Sequence, residues 1–203
     1  MKPEDVIPTY EEHGAAWARD RTRNLFEKPW LDRMLNAAPR AEGAVRILDL
    51  GCGAGDPIAT YLAERGAQIT GIDASKTLTG LFAQNLPDAM VVRADMRQLA
   101  LDRAFDAILA WDSFFHLSAH DQRAMFAVFK AHAAPRAALM FTSGHVAGEA
   151  IGQVAGAPIY HASLSADEYR DLLYSHGFRV LHHKAEDPDC GGHTIWLAQY
   201  QSA

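Results

Sequence analysis

The sequence predicts an α/β fold in which a doubly wound, mostly parallel sheet carries helices on both faces. Three observations predict this fold. Short apolar strands alternate with helices after residue 44, a glycine-rich loop follows the first strand, and aspartates stand at the ends of the next strands. Because parallel sheets bind ligands at the carboxyl ends of their strands, we expect a site at that edge.

The composition favours one compact domain of 203 residues. Hydrophobic residues make up 49% and charged residues 22%, which supplies a core and excludes a largely disordered chain. The net charge of −6 disfavours a nucleic-acid partner, because binding phosphates takes many Lys and Arg contacts. We expect a single domain over residues 1–203, with a helical lid at 1–40 and a substrate-side insertion at 144–164.

The elements can be assigned in chain order. Before residue 44 the apolar residues recur at helical spacing. Helices are then expected after Asp56-Pro57, where the pair suits a helix start, and after Ser75, Ser118 and Ser165, which are good capping residues. Strands are predicted at 45–50, 68–73, 90–95, 105–110, 137–142, 179–183 and 194–199.

Targeting signals and metal motifs are not evident. The polar, acidic N-terminus lacks a signal-peptide run, and no stretch approaches the roughly 18 to 20 apolar residues that span a bilayer. Cys52 and Cys190 lie far apart, which favours a reducing compartment over a disulfide framework. We therefore expect a cytoplasmic protein with no membrane partner and, since its ten histidines are scattered, no metal.

The glycine loop is the sharpest local feature. Gly51, Gly53 and Gly55 follow the first strand, where they permit a tight turn and let a ligand approach the backbone. A nicotinamide fingerprint, G-x-G-x-x-G, would need glycine at position 56, which is Asp56. The loop therefore favours a ligand without phosphates, although a purely structural turn stays open.

Acidic residues end three of the first strands. Asp73 suits a ribose diol, because its two oxygens can accept hydrogen bonds from both hydroxyls. Asp95 can bind a ligand or cap the next turn, and Asp49 can contact a ligand or organise the loop.

The runs 47–55, 71–75, 94–96 and 105–108 resemble, in order, the motifs of class I S-adenosylmethionine-dependent methyltransferases. The resemblance implies a Rossmann-like seven-stranded sheet in the order 3-2-1-4-5-7-6 with the last strand antiparallel. It implies S-adenosylmethionine as cofactor and S-adenosylhomocysteine as product. The family's Pro-Gly-Gly turn before the fifth strand is replaced by Pro135-Arg136-Ala137.

The resemblance also implies a set of cofactor contacts. The glycine loop would line the methionine moiety, Asp73 the ribose, and Asp95 with Met96 the adenine. Arg21, on one helical face with Tyr10 and Trp17, could meet the methionine carboxylate, although a packing face is an equal alternative. The predicted cofactor-binding residues are Trp17, Arg21, Asp49, Gly51, Cys52, Gly53, Gly55, Asp73, Ala74, Asp95, Met96 and Trp111.

The acceptor side is predicted around the segment after the fourth strand. His116 is the candidate general base, and aromatic residues beside it would wall the pocket. Glycines spaced by four over 144–156 suggest a mobile lid ending at Tyr160-His161, with coincidence as the alternative. The predicted substrate-binding residues are Tyr10, Phe114, Phe115, His116, Tyr160 and His161.

These observations predict a methyltransferase for a small-molecule acceptor. Two alternatives stay open: a non-catalytic module that binds the cofactor, and an NAD(P)-dependent oxidoreductase, which the displaced third glycine disfavours. The acceptor atom can be oxygen, nitrogen, sulfur or carbon, and the oligomeric state is not predicted.

Overall fold

The computed structural model describes residues 1–39 and 43–201. Residue 40, the predicted end of the helical lid, and residues 202–203 of the predicted domain lie outside the described part. Nine strands are present in it: β1 (Arg46–Leu50), β2 (Gln68–Asp73), β3 (Met90–Arg93), β4 (Phe105–Ala110), β5 (Ala133–Ser143), β6 (Gly148–Val154), β7 (Ala157–Ser163), β8 (Phe178–Asp187) and β9 (His193–Tyr200).

Seven of these strands form one sheet, in the order β3-β2-β1-β4-β5-β9-β8. The first five pair in parallel, whereas β9 runs antiparallel to both β5 and β8. Because β6 and β7 pair with each other outside this sheet, the order corresponds to the predicted 3-2-1-4-5-7-6. The predicted fold class is confirmed.

Six α-helices accompany the strands: α1 (Val6–Asp20), α2 (Lys28–Ala37), α3 (Ile58–Glu64), α4 (Lys76–Asn85), α5 (Ala119–His132) and α6 (Ala166–Ser175). The serine caps are confirmed, since Ser75, Ser118 and Ser165 each accept a hydrogen bond from a backbone N–H of the first turn. The start of α3 differs from the prediction. Its first helical residue is Ile58, and the Asp56 carboxylate pairs with Arg23 instead of capping the helix.

The sheet is buried on both faces, and alternate strand residues serve opposite cores. In β4, Ile108 faces the layer of α5 and α6, whereas Leu109 faces the layer of α2, α3 and α4. Helix α2 contributes fully buried Leu31 and Met34 to the second layer. Helix α1 instead contributes Val6 and Ala18 to two smaller clusters, so only α1 of the predicted helical lid lies outside the two main core layers.

The segment 144–164 contains an antiparallel hairpin of β6 and β7. Val154 and Ile159 of the hairpin pack with Val6 of α1. The sequence predicts a lid here but neither strand, because glycine and alanine interrupt the alternation of apolar and polar residues. None of the described helices is long and apolar enough to cross a membrane.

Candidate active site

A cleft of about 1120 Å³ opens at the carboxyl ends of β1, β2 and β4. The glycine loop forms its floor and α1 lies across it. The start of α4 helps to hold α1 there, because the Ser75 hydroxyl donates to Glu11 Oε2 at 2.7 Å. The location agrees with the edge at which parallel sheets bind ligands.

The glycine loop fits tightly between its neighbours. Gly51 has a φ of +72°, and a Cβ placed on it would lie 2.2 Å from Cβ of Ser113. A Cβ on Gly53, whose φ is +56°, would lie 3.1 Å from the Trp17 ring. Both the backbone conformation and the available space therefore require glycine.

The Asp73 carboxylate ties the glycine loop to α4. Its Oδ2 accepts from Gly53 N at 3.0 Å, and its Oδ1 accepts from Ser75 N at 2.9 Å. Burial raises the pKa of Asp73, and these hydrogen bonds oppose that effect. A carboxylate has about four acceptor positions, so each oxygen keeps one for a ligand hydroxyl.

The Asp49 carboxyl group of the cleft has a strongly raised pKa. It is 4% exposed. Burial raises its pKa to about 7, the Asp73 charge adds to this, and Arg21 opposes it. A cationic ligand group beside such a carboxyl group would stabilise its charged form.

Arg21 lies at the end of α1 and is held by a buried carboxylate. Its Nη2 donates to Glu27 Oε1 at 2.8 Å, and its guanidinium lies 5.8 Å from the centre of the Trp17 ring. The Glu27 side chain is fully buried, and its Oε2 has no partner among residues 1–39 and 43–201.

Asp95 caps the short turn that follows β3. Its carboxylate accepts from the backbone N–H of Arg97 and forms an ion pair with the Arg97 guanidinium at 2.6 Å. The Arg97 hydrogen bonds overcome the effect of burial and leave the pKa of Asp95 lowered. The capping alternative therefore holds, while Asp95 also lines the cleft.

A second cavity of about 850 Å³ adjoins the cleft. Five side chains line both spaces, and α1 contributes to this shared wall. The remaining lining comes from Phe115, from residues 143–145 at the end of β5, from the β6–β7 hairpin, and from the β8–β9 turn with the start of β9. The shared residues are Tyr10, Trp17, Arg21, Asp112 and His116.

Tyr10 and His116 form a hydrogen-bonded pair in the shared wall. His116 Nδ1 lies 2.9 Å from the backbone oxygen of Tyr160, which can only accept, so Nδ1 carries the proton. The Tyr10 hydroxyl, 3.0 Å from Nε2, then donates to that nitrogen. Burial lowers the pKa of His116 to about 4, and burial likewise raises the pKa of Tyr10, so both groups are neutral near pH 7.

Asp112 and His193 form a charged pair, in contrast to the neutral pair of Tyr10 and His116. His193 Nδ1 lies 2.7 Å from the backbone oxygen of Cys190, and Nε2 lies 3.0 Å from the Asp112 carboxylate. Both ring nitrogens face acceptors, which favours the imidazolium. Burial lowers the pKa of His193, but the hydrogen bond and charge of Asp112 outweigh it and leave the pKa raised.

The structure brings most of the predicted residues together, while their roles stay predictions. All twelve predicted cofactor residues line the cleft: Trp17, Arg21, Asp49, Gly51, Cys52, Gly53, Gly55, Asp73, Ala74, Asp95, Met96 and Trp111. Four of the predicted acceptor residues line the second cavity: Tyr10, Phe115, His116 and His161.

Phe114 and Tyr160 do not line either space. Phe114 is fully buried in the core, with its ring centre 5.2 Å from that of Phe141, because the 3-10 turn 114–116 directs it away from the cavity. Tyr160 alternates with His161 along β7, and its hydroxyl donates to Glu149. The geometry therefore gives no support to the prediction that these two side chains contact the acceptor, and it stays a prediction.

Asp112 and His193 line the site but are not predicted from the sequence as site residues. Asp112 belongs to the segment 110–117 but carries no distinguishing local pattern, and His193 comes from the turn before β9. Only the fold brings these residues, 81 positions apart, into contact.

Comparison with known proteins places this geometry in a family. Residues 47–136 match a family model described as a methyltransferase domain. A putative methyltransferase, YqeM of Bacillus subtilis strain 168, is 30% identical over 139 residues, which cover 64% of this chain and 51% of YqeM. A trans-aconitate 2-methyltransferase of Escherichia coli O1:K1 is 41% identical over 106 residues, covering 51% of this chain and 39% of that enzyme. The chain thus spans about half or less of the curated relatives it matches.

Solved structures give the same fold at low identity. An amino pentose methyltransferase from Micromonospora echinaspora, solved with bound SAM, has a TM-score of 0.72 at 20% identity, covering 94% of this chain and 96% of that chain. The Burkholderia thailandensis 1,6-didemethyltoxoflavin-N1-methyltransferase has a TM-score of 0.72 at 18% identity, covering 98% and 87%. Residues 47–136 therefore match a methyltransferase domain in sequence, and the described chain shares its fold with these methyltransferases of solved structure.

Proposed function

We propose that this protein is a methyltransferase that binds S-adenosylmethionine in the glycine-floored cleft and methylates a small molecule held in the second cavity. The observation that carries the proposal is the shared wall: two cavities of ligand size meet at Tyr10, Asp112 and His116. Methyl transfer requires a donor and an acceptor side by side with water excluded, and this arrangement provides adjacent sites.

The residues of the cleft fit the cofactor. The floor at Gly51 and Gly53 admits no side chain, so a ligand can approach the backbone closely. Asp73 retains acceptor positions for ribose hydroxyls, and Arg21 offers a cation to a carboxylate. Trp111 lines the cleft, and its buried Nε1 has no acceptor within the described ranges. When bound, the cofactor supplies an activated methyl group, so the protein has mainly to orient the reactants.

Asp49 and Asp73 support a cationic cofactor over a dinucleotide. The buried Asp49 and the half-buried Asp73 both line the cleft, and burial raises the pKa of each, which makes a pyrophosphate unfavourable and a cation favourable. Asp56, at the position of the third fingerprint glycine, also lines the cleft and pairs with Arg23. An NAD(P)-dependent oxidoreductase is the weaker alternative for this reason.

The relatives and composition support the remaining parts of the proposal. Small molecules are the substrates named for the trans-aconitate and toxoflavin enzymes. The net charge of −6 favours small molecules over nucleic acid. Cys52 and Cys190 form no disulfide, which supports a cytoplasmic location.

Calorimetric titration with S-adenosylhomocysteine, NAD and NADP tests the cofactor. We expect S-adenosylhomocysteine to bind, and Asp73→Ala to weaken it at least about tenfold through lost hydrogen bonds to a charged acceptor. A matched exposed variant, Asp88→Ala, should bind as the wild type does. Preferential binding of NAD or NADP would establish the oxidoreductase alternative.

Release of S-adenosylhomocysteine in the presence of a library of small acceptors tests the activity. Turnover with at least one acceptor supports the enzyme, and it should disappear in a variant that no longer binds cofactor. Cofactor binding without turnover across the library would favour the non-catalytic binding module.

A further inference from the structure

Asp112 lies where the two cavities meet and keeps free acceptor positions. His193 Nε2 lies 3.0 Å from both carboxylate oxygens, and Oδ1 also accepts from Thr142 Oγ1 at 3.3 Å. The side chain is 27% exposed and lines both spaces. Its φ of 48° belongs to the left-handed region, so the backbone is held in an uncommon conformation that presents this group at the junction.

His193 holds Asp112 in position by an ion pair. The imidazole ring lies between Phe26 and Trp111, with ring centres 5.6 and 5.3 Å away. The groups that act on its charge are the Asp112 carboxylate, the backbone oxygen of Cys190 and the buried Glu27 carboxylate, and all three favour the imidazolium. Asp112 is thereby held in place by an ion pair with a side chain that also lines the second cavity.

A fixed carboxylate selects among acceptor groups. It accepts hydrogen bonds from N–H and O–H groups and attracts cations, whereas it repels a carboxylate acceptor. The aromatic faces of Tyr10, Trp17 and Phe115 line the same cavity, and aromatic faces also favour cations. The wall therefore suits an acceptor that bears a hydroxyl or an amino group.

The Tyr10–His116 pair distinguishes these two groups. A hydroxyl acceptor needs a general base, but His116 Nε2 already accepts from Tyr10, and burial lowers the pKa of His116 to about 4. An uncharged amine needs no base during transfer, because its nitrogen carries a lone pair. His116 is therefore not available as the base that a hydroxyl requires, whereas Asp112 offers an acceptor to the N–H group of an amine.

We infer that the acceptor is an amine and that Asp112, positioned by His193, binds it at the junction of the two cavities. The inference deepens the proposed methyltransferase function and rests on it. The amine nitrogen forms a bond to the methyl carbon with its lone pair while the carbon–sulfur bond of the donor breaks, so the electron pair stays on sulfur. The amine reacts as its free base, having left its proton with the solvent before transfer. The positive charge then passes from sulfur to the nitrogen beside Asp112, where the product remains an ammonium ion.

Three acceptors that share one skeleton test the acceptor class: phenethylamine, phenethyl alcohol and phenylacetate. Each is assayed for methyl transfer with S-adenosylmethionine, alongside a wider set of primary and secondary amines. We expect transfer to amines and not to the alcohol or the carboxylate. Transfer only to hydroxyl or carboxylate compounds, or to no amine at all while S-adenosylhomocysteine still binds, overturns the inference. Failure to bind S-adenosylhomocysteine would instead overturn the proposed function.

The role of the ion pair is tested with Asp112→Asn, which keeps the shape and tolerates the left-handed backbone. We expect the KM for the amine to rise at least about tenfold, and by a larger factor than the Kd for S-adenosylhomocysteine, although Asp112 lines both spaces. His193→Gln, which retains an N–H donor without charge, should have an intermediate effect, and His193→Ala the full effect. Asp167→Asn, at an exposed carboxylate on α6, is the matched control.

A structural readout accompanies the kinetics. In NMR titrations of histidine-labelled protein with bound S-adenosylhomocysteine, His193 should titrate above its ordinary pKa in the wild type and lower in Asp112→Asn. An unchanged KM for the amine in Asp112→Asn, or a His193 pKa at or below its ordinary value in the wild type, contradicts the proposed role of the ion pair.

Discussion

The Tyr10 hydroxyl lies 3.0 Å from His116 Nε2, although 106 residues separate the two in the chain. The hydrogen bond joins α1 to the turn after β4 and closes the wall between the two cavities. Because His116 also donates to the backbone oxygen of Tyr160, one imidazole connects α1, the sheet edge and the hairpin.

The buried His116 should make the protein sensitive to acid. Its pKa is lowered from 6.5 to about 4, so the unfolded chain binds a proton between these values that the native protein does not. Stability should therefore fall as the pH drops from about 6.5 to about 4, by up to about 3 kcal/mol. Urea unfolding across this range measures the loss. His116→Gln should flatten it, and exposed His120→Gln should leave it unchanged.

Asp49 should have the opposite pH dependence. Its pKa is raised to about 7, so its native environment favours the protonated form, and stability is lost as the pH rises from about 4 to about 7. We expect Asp49→Asn to raise the free energy of unfolding at pH 8 by at least about 1 kcal/mol. The same variant should bind S-adenosylhomocysteine more weakly, because it lacks a carboxylate in the cleft. A variant less stable than the wild type at pH 8 would contradict the assignment.

Gly51→Ala and Gly66→Ala separate crowding from backbone strain. Both glycines have positive φ, +72° and +84°, but a Cβ on Gly51 would meet Ser113 whereas one on Gly66 would meet nothing within 4 Å. Gly66→Ala should cost about 1 kcal/mol, and Gly51→Ala at least about 3 kcal/mol, in urea unfolding. Equal losses would show that the loop can relax away from Ser113.

Gln122 should hold the base of the hairpin. Its fully buried amide donates to Leu117 O and Ala162 O, at 3.0 and 2.8 Å, and accepts from the Tyr169 hydroxyl at 2.6 Å. Gln122→Met removes all three hydrogen bonds and should cost roughly 2 to 4 kcal/mol. Tyr169→Phe, which removes only one of them, is the matched comparison. Limited proteolysis should cut 148–163 faster in Gln122→Met, and an unchanged cleavage rate would exclude this role.

The cofactor half of the site can be predicted from sequence because its residues are encoded locally. Gly51 and Gly53 are recognisable by their place after a strand, and Asp73 by its place at the end of the next strand. Parallel pairing brings the ends of neighbouring strands to one edge, so their adjacency follows from the fold class alone.

The acceptor half is harder to predict because its contacts depend on tertiary geometry. Phe114 and Phe115 are neighbours of the same type, yet one lies in the core and the other lines a cavity, according to the 3-10 turn that carries them. His193 reaches Asp112 only through the antiparallel return of β9. Neither outcome has a signature in local spacing.

The division of the second cavity between α1 and the hairpin has a consequence for redesign. Tyr10, Trp17 and Arg21 of the helical side face both spaces, so substitutions there alter donor and acceptor binding together. Gln153 and His161 of the hairpin line only the second cavity. These hairpin positions can therefore change, in evolution or in the laboratory, and alter the preference for an acceptor. The residues that line the donor cleft stay the same in such variants.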